Sequence, residues 1–357
     1  RRGEFNHRYA QPSVITIPSF GYQPPFSFDE QTDPLTGQTD GLLRRQRERG
    51  GVPKIMATNT SSEYWNREAS LLHTDVAGTR DVEPPGEVRV YHFAGTKHGP
   101  GALRPDEGEA VASPAQVGSS GRSTMALQPE EGEAIAPPGS GPRSNVVDFQ
   151  PVLRAALFHL ERWVAADVPP PPSVFPRLAD GTAARPADAL AAYHAIPDVA
   201  VPDPDRLFWR RRLDLGPRAE QGVGRYPARE GERYPWYVPA VDGDGNEVAG
   251  IRLPDVAVPV ATHTGWFPRR PGTGGEGQNT DMMGTTIPFL PNAAARTSTG
   301  DSRPAIAERY RDRSEYVARA RAVTERLVEA GYLLADDLEL AVQNAAQRYD
   351  AFARGRE

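Results

Sequence analysis

The 357-residue chain is long enough to bury a core as one large or two modest domains, and its net charge of −6 supplies no basic field for nucleic acid. It has no cysteine, which excludes disulfides, thiolate chemistry and cysteine-held zinc but leaves the redox compartment, and so the localisation, open. No apolar run reaches the roughly 18 residues of a membrane span, and 36 prolines with 34 glycines point to long irregular connections.

The chain opens on Arg1-Arg2-Gly3-Glu4-Phe5-Asn6, neither an initiator methionine nor a signal peptide, and reads as the middle of a longer sequence. Residues 13–17 (SVITI) suit a strand. Residues 40–50 suggest a short basic helix with Asp40 as N-cap, Leu42 and Leu43 on one face and Gly50 as its stop. Residues 52–60 (VPKIMATNT) read as a buried strand whose polar end, Ser61 to Trp65, lies at a sheet rim, with a loop beyond. A second strand, VRVYHF at 88–93, breaks into Ala94-Gly95-Thr96-Lys97 just before His98. A crossover-length link makes the two runs adjacent parallel strands.

Residues 99–144 are rich in Gly, Pro, Ser and Glu and lack apolar periodicity. ALRPDEGEAVASP at 102–114 returns as ALQPEEGEAIAPP at 126–138. Two copies without an apolar face predict a mobile low-complexity insertion rather than a solenoid. Val147, Val152, Ala155, Ala156, Leu160 and Trp163 then recur at helical spacing over 146–168, a helix ended by four prolines and expected to cover the strand pair. From 173 to 300 short strands and turns follow. The clearest is a hairpin from Trp236 to Ile251 around Asp242-Gly243-Asp244-Gly245. Beyond Pro304 two helices are predicted, one with Val317, Ala320, Val323, Leu327 and Val328 inward up to Gly331. Asp336 or Asp337 caps the other, with Leu338, Ala341, Val342 and Ala345 inward. The fold class is α/β, in four parts: a sheet core over 1–98, the insertion over 99–144, a packing helix over 145–172 and a C-terminal region over 173–357.

His98 follows a strand end, and Glu63 follows the end of the other strand. In parallel neighbours both project from one carboxyl-end rim, where ligands bind in open α/β sheets. A carboxylate on the imidazole fixes its tautomer and stabilises the imidazolium, so Glu63 and His98 are the candidate catalytic pair, against an idle loop histidine. Asp75 and Asp81, in the loop between the strands, are reserve acids. His92 reads as a packed strand residue, and His73 near Asp75 as a possible pocket wall. His263 has no assigned role, while His7 and His159 read as structural. Asp242-Gly243-Asp244-Gly245-Asn246 looks superficially like a calcium loop, but Leu253 stands where the bidentate glutamate belongs, and the hairpin turn is preferred.

The stretches RRGEFNHRYAQPS, PKIMATNTSSEYWNREASLLHTD and VRVYHFAGTKHG, with PPPPSVFPRLADGT, YVPAVDGDGNEVAGIRLPDV and ATHTGW further on, resemble a bacterial group of α/β-hydrolase domain proteins. The resemblance implies a partial α/β-hydrolase sheet and a triad in the order Ser, Asp or Glu, His, whose last two places Glu63 and His98 fill. It places the serine in a nucleophile elbow shortly before the segment that begins here with Arg1. Arg1, Arg2 and Glu4 then either reach a pocket or pair with one another. No Gly-x-Ser-x-Gly occurs in these residues, and neither Ser119-Ser120 nor Ser302 has the context of an elbow.

The expected function is serine-type hydrolysis of an ester or related acyl bond in a small molecule. This chain carries acid and histidine but not the serine, so by itself it is expected to be inactive. No cofactor and no metal are implied. The alternative is a non-catalytic binding or scaffold module that keeps a hydrolase-like sheet. Substrate and oligomeric state are not read from the sequence.

Overall fold

A computed structural model describes residues 25–103 and 143–354, apart from a few isolated positions between 198 and 276. The 13–17 strand, Arg1, Arg2, Glu4, His7, Ser119, Ser120 and most of the 99–144 insertion lie outside the described residues.

The fold is built outward from one strand. β1 (Gln31–Thr32) and β2 (Thr39–Asp40) form a small antiparallel pair that leads into helix α1 (Arg44–Glu48). The helix starts later than expected, with Leu43 as N-cap, because Asp40 ends β2 and its carboxylate accepts the Gly41 N–H at 2.8 Å. Leu43 is buried while Leu42 is exposed, so the two do not share an inward face. β3 (Ile55–Thr60) then passes directly into helix α2 (Ser61–Arg67), where a loop was expected. β4 (Val88–Phe93) returns parallel to β3, in register from Ile55 opposite Val88 to Thr60 opposite Phe93.

Period-2 alternation makes β4 the centre. Val88 and Val90 pack with Phe28, Leu43 and Phe175 on one face. Tyr91 and Phe93 pack with Phe149, Val152 and Ala156 on the other. β3 is not the buried strand expected: Ile55, Met56 and Ala57 are only half-buried, because β4 is its one strand neighbour among the described residues. The far edge of β4 takes the C-terminal region as single parallel bridges, Tyr91 to Val174 and Phe93 to Ile251.

β5 (Arg143–Ser144) pairs antiparallel with Thr285 and Thr286, so the end of the expected irregular insertion is in fact a strand. Helix α3 (Gln150–Ala166) starts four residues later than periodicity suggests and buries Val152, Ala155, Ala156 and Trp163. β6 (Ala183–Ala184) precedes helix α4 (Pro186–Ala191), and β7 (Arg211–Asp214) pairs with β8 (Arg229–Arg233). The expected hairpin keeps its Asp-Gly turn and one Val241–Glu247 bridge, but its arms diverge. β9 (Val238–Pro239) pairs with β6, and Ile251 goes to β4. Asp242 accepts the Asp244 and Asn246 N–H groups, and Asp244 pairs with Arg309, which closes the turn.

Helix α5 (Pro254–Ala257) leads to β10 (Ala261–His263), which pairs antiparallel with β11 (Thr285–Pro288). Helices α6 (Ala293–Thr299), α7 (Ile306–Arg309), α8 (Arg313–Glu329) and α9 (Leu338–Ala353) finish the chain. The last two pack Tyr316, Ala320, Ala345 and Phe352 against Val146, Ala261 and Phe289. Val317 flanks this seam, whereas Leu327 and Val328 pack half-buried against the Tyr91, Phe93 and Val152 cluster. No helix among the described residues is long and apolar enough to cross a membrane.

Candidate functional site

The end of β3 prepares the acid. Thr60 is the N-cap of α2 and Glu63 its third helical residue, a Thr-x-x-Glu capping box. Glu63 Oε2 accepts the Thr60 backbone N–H at 2.6 Å and also the Thr60 hydroxyl. Capping therefore fixes the carboxylate and leaves Oε1 to point at the next strand end. The Thr-x-x-Glu signature that places Glu63 is legible in the sequence.

The end of β4 positions the histidine. Gly95 adopts φ +66°, and a Cβ there would lie 2.6 Å from Val256 Cγ2, so glycine is needed to turn the chain under α5. Thr96 closes the turn with its hydroxyl on the Phe93 carbonyl at 2.6 Å. The His98 backbone N–H then reaches the Met282 carbonyl at 3.3 Å. Its Nδ1 donates to Glu63 Oε1, so the two predicted residues meet. The acid arrives from the first turn of a helix, not from a strand rim. The His98 side chain is 51 % exposed and that of Glu63 19 %, so the imidazole stands at the surface above a largely covered carboxylate.

Electrostatics follow from this contact. The hydrogen bond to Glu63 lifts His98 above the ordinary imidazole value, against the opposing effect of partial burial. Burial disfavours the Glu63 anion, but hydrogen bonds from His98 and Thr60 outweigh it and hold the carboxyl below its ordinary range. Nearby, Arg67 on the same helix face donates to Asp281 at 2.6 Å, tying α2 to the 281–284 turn beneath His98.

The reserve acids are engaged elsewhere. Asp75 accepts the Thr79 and Arg80 N–H groups of its own turn, and Asp81 accepts those of Leu178 and Ala179. His73 is fully buried, bonded to the Tyr64 hydroxyl at 2.9 Å and stacked on Phe175, so it lines no open pocket. Burial, with His92 nearby, pushes its pKa down to about 3. His263 is also fully buried, on Thr286 Oγ1 at 3.0 Å, and burial lowers its pKa to about 3. His159 caps the end of α8 through the Gly331 carbonyl at 2.9 Å.

Sequence reasoning missed a buried polar knot beneath the pair. Glu247 Oε2 accepts the Ser61 hydroxyl at 2.7 Å and the Gly95 N–H at 2.7 Å, and meets His92 Nε2 at 2.9 Å. Ser61, His92 and Glu247 have the composition of a hydrolytic triad but not its wiring. The serine bonds the carboxylate instead of the imidazole, and the three side chains are sealed from solvent. Asn145 bridges the Gly95 and Thr264 carbonyls at 2.8 and 2.9 Å, bracing the same loop. Nothing local in the sequence joins Glu247 to Ser61, 186 residues away.

No curated protein and no solved structure matches the chain. The family model described as alpha/beta hydrolase domain matches residues 14–343, which takes in both strands, the Glu63–His98 pair and the knot below it. The chain belongs to the alpha/beta hydrolase domain family.

Proposed function

We propose that this chain supplies the acid and the base of a serine-type hydrolase acting on an ester or related acyl bond of a small molecule. The observation that carries the reading is the Glu63 Oε1 to His98 Nδ1 hydrogen bond on a half-exposed imidazole at the ends of two parallel strands. With Nδ1 occupied, Nε2 is the nitrogen left for chemistry.

In this reading, His98 Nε2 takes the proton of a serine hydroxyl as the serine oxygen attacks the acyl carbon. The tetrahedral intermediate collapses as the same proton passes to the leaving alkoxide, and an alcohol departs. Water then repeats the sequence on the acyl-enzyme, with His98 as base and afterwards as acid, and releases a carboxylic acid and free serine. Glu63 keeps the ring in one tautomer and stabilises its charged form. The 357 residues contain no Gly-x-Ser-x-Gly, so the serine is assigned to sequence outside them.

The test is a screen of short p-nitrophenyl esters on the protein together with an upstream Gly-x-Ser-x-Gly segment. Activity that falls at least ~10³-fold in His98→Ala supports the proposal. Full activity in that variant rejects it. Silence of the intact protein on the whole panel favours a binding or scaffold module.

A further inference from the structure

We infer that Glu247 is a positioning residue for the Glu63–His98 pair, an inference that rests on reading that pair as the acid and base of the reaction. His98 hangs five residues beyond the last residue of β4, and a half-exposed ring on such a loop keeps one orientation only if the loop is stiff. Thr96, Asn145 and the Met282 carbonyl brace that loop, and one buried oxygen ties it to the helix that carries Glu63.

Glu247 Oε2 takes the Gly95 N–H of the His98 loop at 2.7 Å and the hydroxyl of Ser61, first residue of the helix that carries Glu63, at 2.7 Å. The Ser61 oxygen in turn accepts the Thr96 N–H at 3.0 Å. Loop and helix are thus each bound to Glu247 and, through Ser61, to each other. His92 on β4 supplies a third donor at 2.9 Å. Three donors on one oxygen suit an ionised carboxylate, whose charge-assisted bonds are about twice as strong as neutral ones.

Glu247 is itself delivered rigidly. Val241 and Glu247 bridge across the Asp242–Gly245 turn, and Asn246 is pinned by its amide to the Ala261 carbonyl and the His263 N–H, both at 3.0 Å. At 2 % exposure Glu247 touches no substrate, so its influence passes through Gly95 and Ser61. The C-terminal region thereby sets the distance between acid and base.

The test needs no nucleophile. The His98 titration is followed by NMR in the 357-residue chain, with His98→Gln assigning the resonance among seven histidines. Glu63→Gln gives the midpoint of an unpaired ring, lower than that of the parent. Glu247→Gln keeps the side-chain shape but drops the charge, and Ser61→Ala cuts the helix-to-loop link while leaving Gly95 and His92 on Glu247. Both are expected to move the His98 midpoint part of the way to the Glu63→Gln value, with a cooperative melting transition retained. If Glu247→Gln does not fold, Ser61→Ala alone decides. A parent-like His98 midpoint in the folded variants, with Glu63→Gln shifted, overturns the role of Glu247 and leaves the pair intact. A parent-like midpoint in Glu63→Gln itself removes the pair, and with it the reading beneath this inference.

Discussion

Glu63 and His98, 35 residues apart in sequence, share a hydrogen bond because parallel pairing sets Thr60 opposite Phe93, after which β3 enters helix α2 directly and β4 ends in a braced turn. The ring is lifted above its ordinary 6.5 by that bond, so a reaction needing neutral His98 gains rate only above that pH. In active protein, Glu63→Gln is expected to shift the rising limb of kcat/KM to lower pH and to cut kcat by ~10²-fold or more. A pH–rate profile checks it, and an unmoved limb rejects it. For stability the signs are opposite for the two partners. His98, raised, stabilises the fold fully below 6.5 and loses the effect as pH rises through its folded value. Glu63, lowered, contributes above 4.5 and loses it as pH falls through its own folded value.

His73 and His263 predict an acid-sensitive fold. Burial holds each near a pKa of about 3, against 6.5 unfolded, so their stabilisation is complete above 6.5 and drains away as pH falls toward 3. At pH 5 each is expected to cost about 2 kcal/mol relative to neutral pH. Urea unfolding of His263→Gln at pH 7 and pH 5 should show a pH loss smaller than the parent's by about that amount, and an equal loss would disprove the assignment.

Glu68, at φ 45° after α2, is buried with Arg210, whose guanidinium bonds it at 2.8 Å. Burial already raises its carboxyl despite the attraction of Arg210. Arg210→Met should destabilise by about 3–5 kcal/mol by stranding the charge. Because the acid is raised in the fold, the deficit is smallest below 4.5 and grows as pH climbs through the raised folded value. Denaturation at pH 5 and pH 8 measures this; a deficit independent of pH contradicts it.

Gly265 lies against the start of α2. A Cβ there would sit 2.3 Å from the Ser61 carbonyl carbon and 2.5 Å from its Cβ. Main-chain atoms of a helix start cannot swing aside, so Gly265→Ala should cost about 1–3 kcal/mol. A melting temperature equal to the parent's would show that this contact relaxes.

The insertion leaves and rejoins the described fold at neighbouring points. Gly101 donates to the Val147 carbonyl at 2.8 Å, just past β5. Residues 104–142 lie outside the described residues, and their composition offers little apolar surface to bury. Replacing them with a short Gly-Ser link should change stability by no more than about 1 kcal/mol. Loss of the cooperative transition would assign them to the core.

Local pattern by itself determined much of the frame. A β-prone run before a glycine loop marks β4, helical spacing marks α3 and α9, the Asp-Gly turn is placed, and two apolar runs a crossover apart imply parallel neighbours. The residue types Glu63 and His98, each just beyond a strand, were enough to nominate the pair. Tertiary structure decided what depends on distant partners. β3 is half-exposed because it has one strand neighbour among the described residues, and the hairpin arms part because β6 and β4 offer them better pairing. His73 and His263 are sealed by packing that no local window contains. The knot that ties the His98 loop to α2 rests on Glu247, whose one oxygen meets donors 152 and 186 residues away. Periodicity reports a residue's own face and turn, whereas hydrogen bonding of a buried charge is settled only when the chain has folded back upon it.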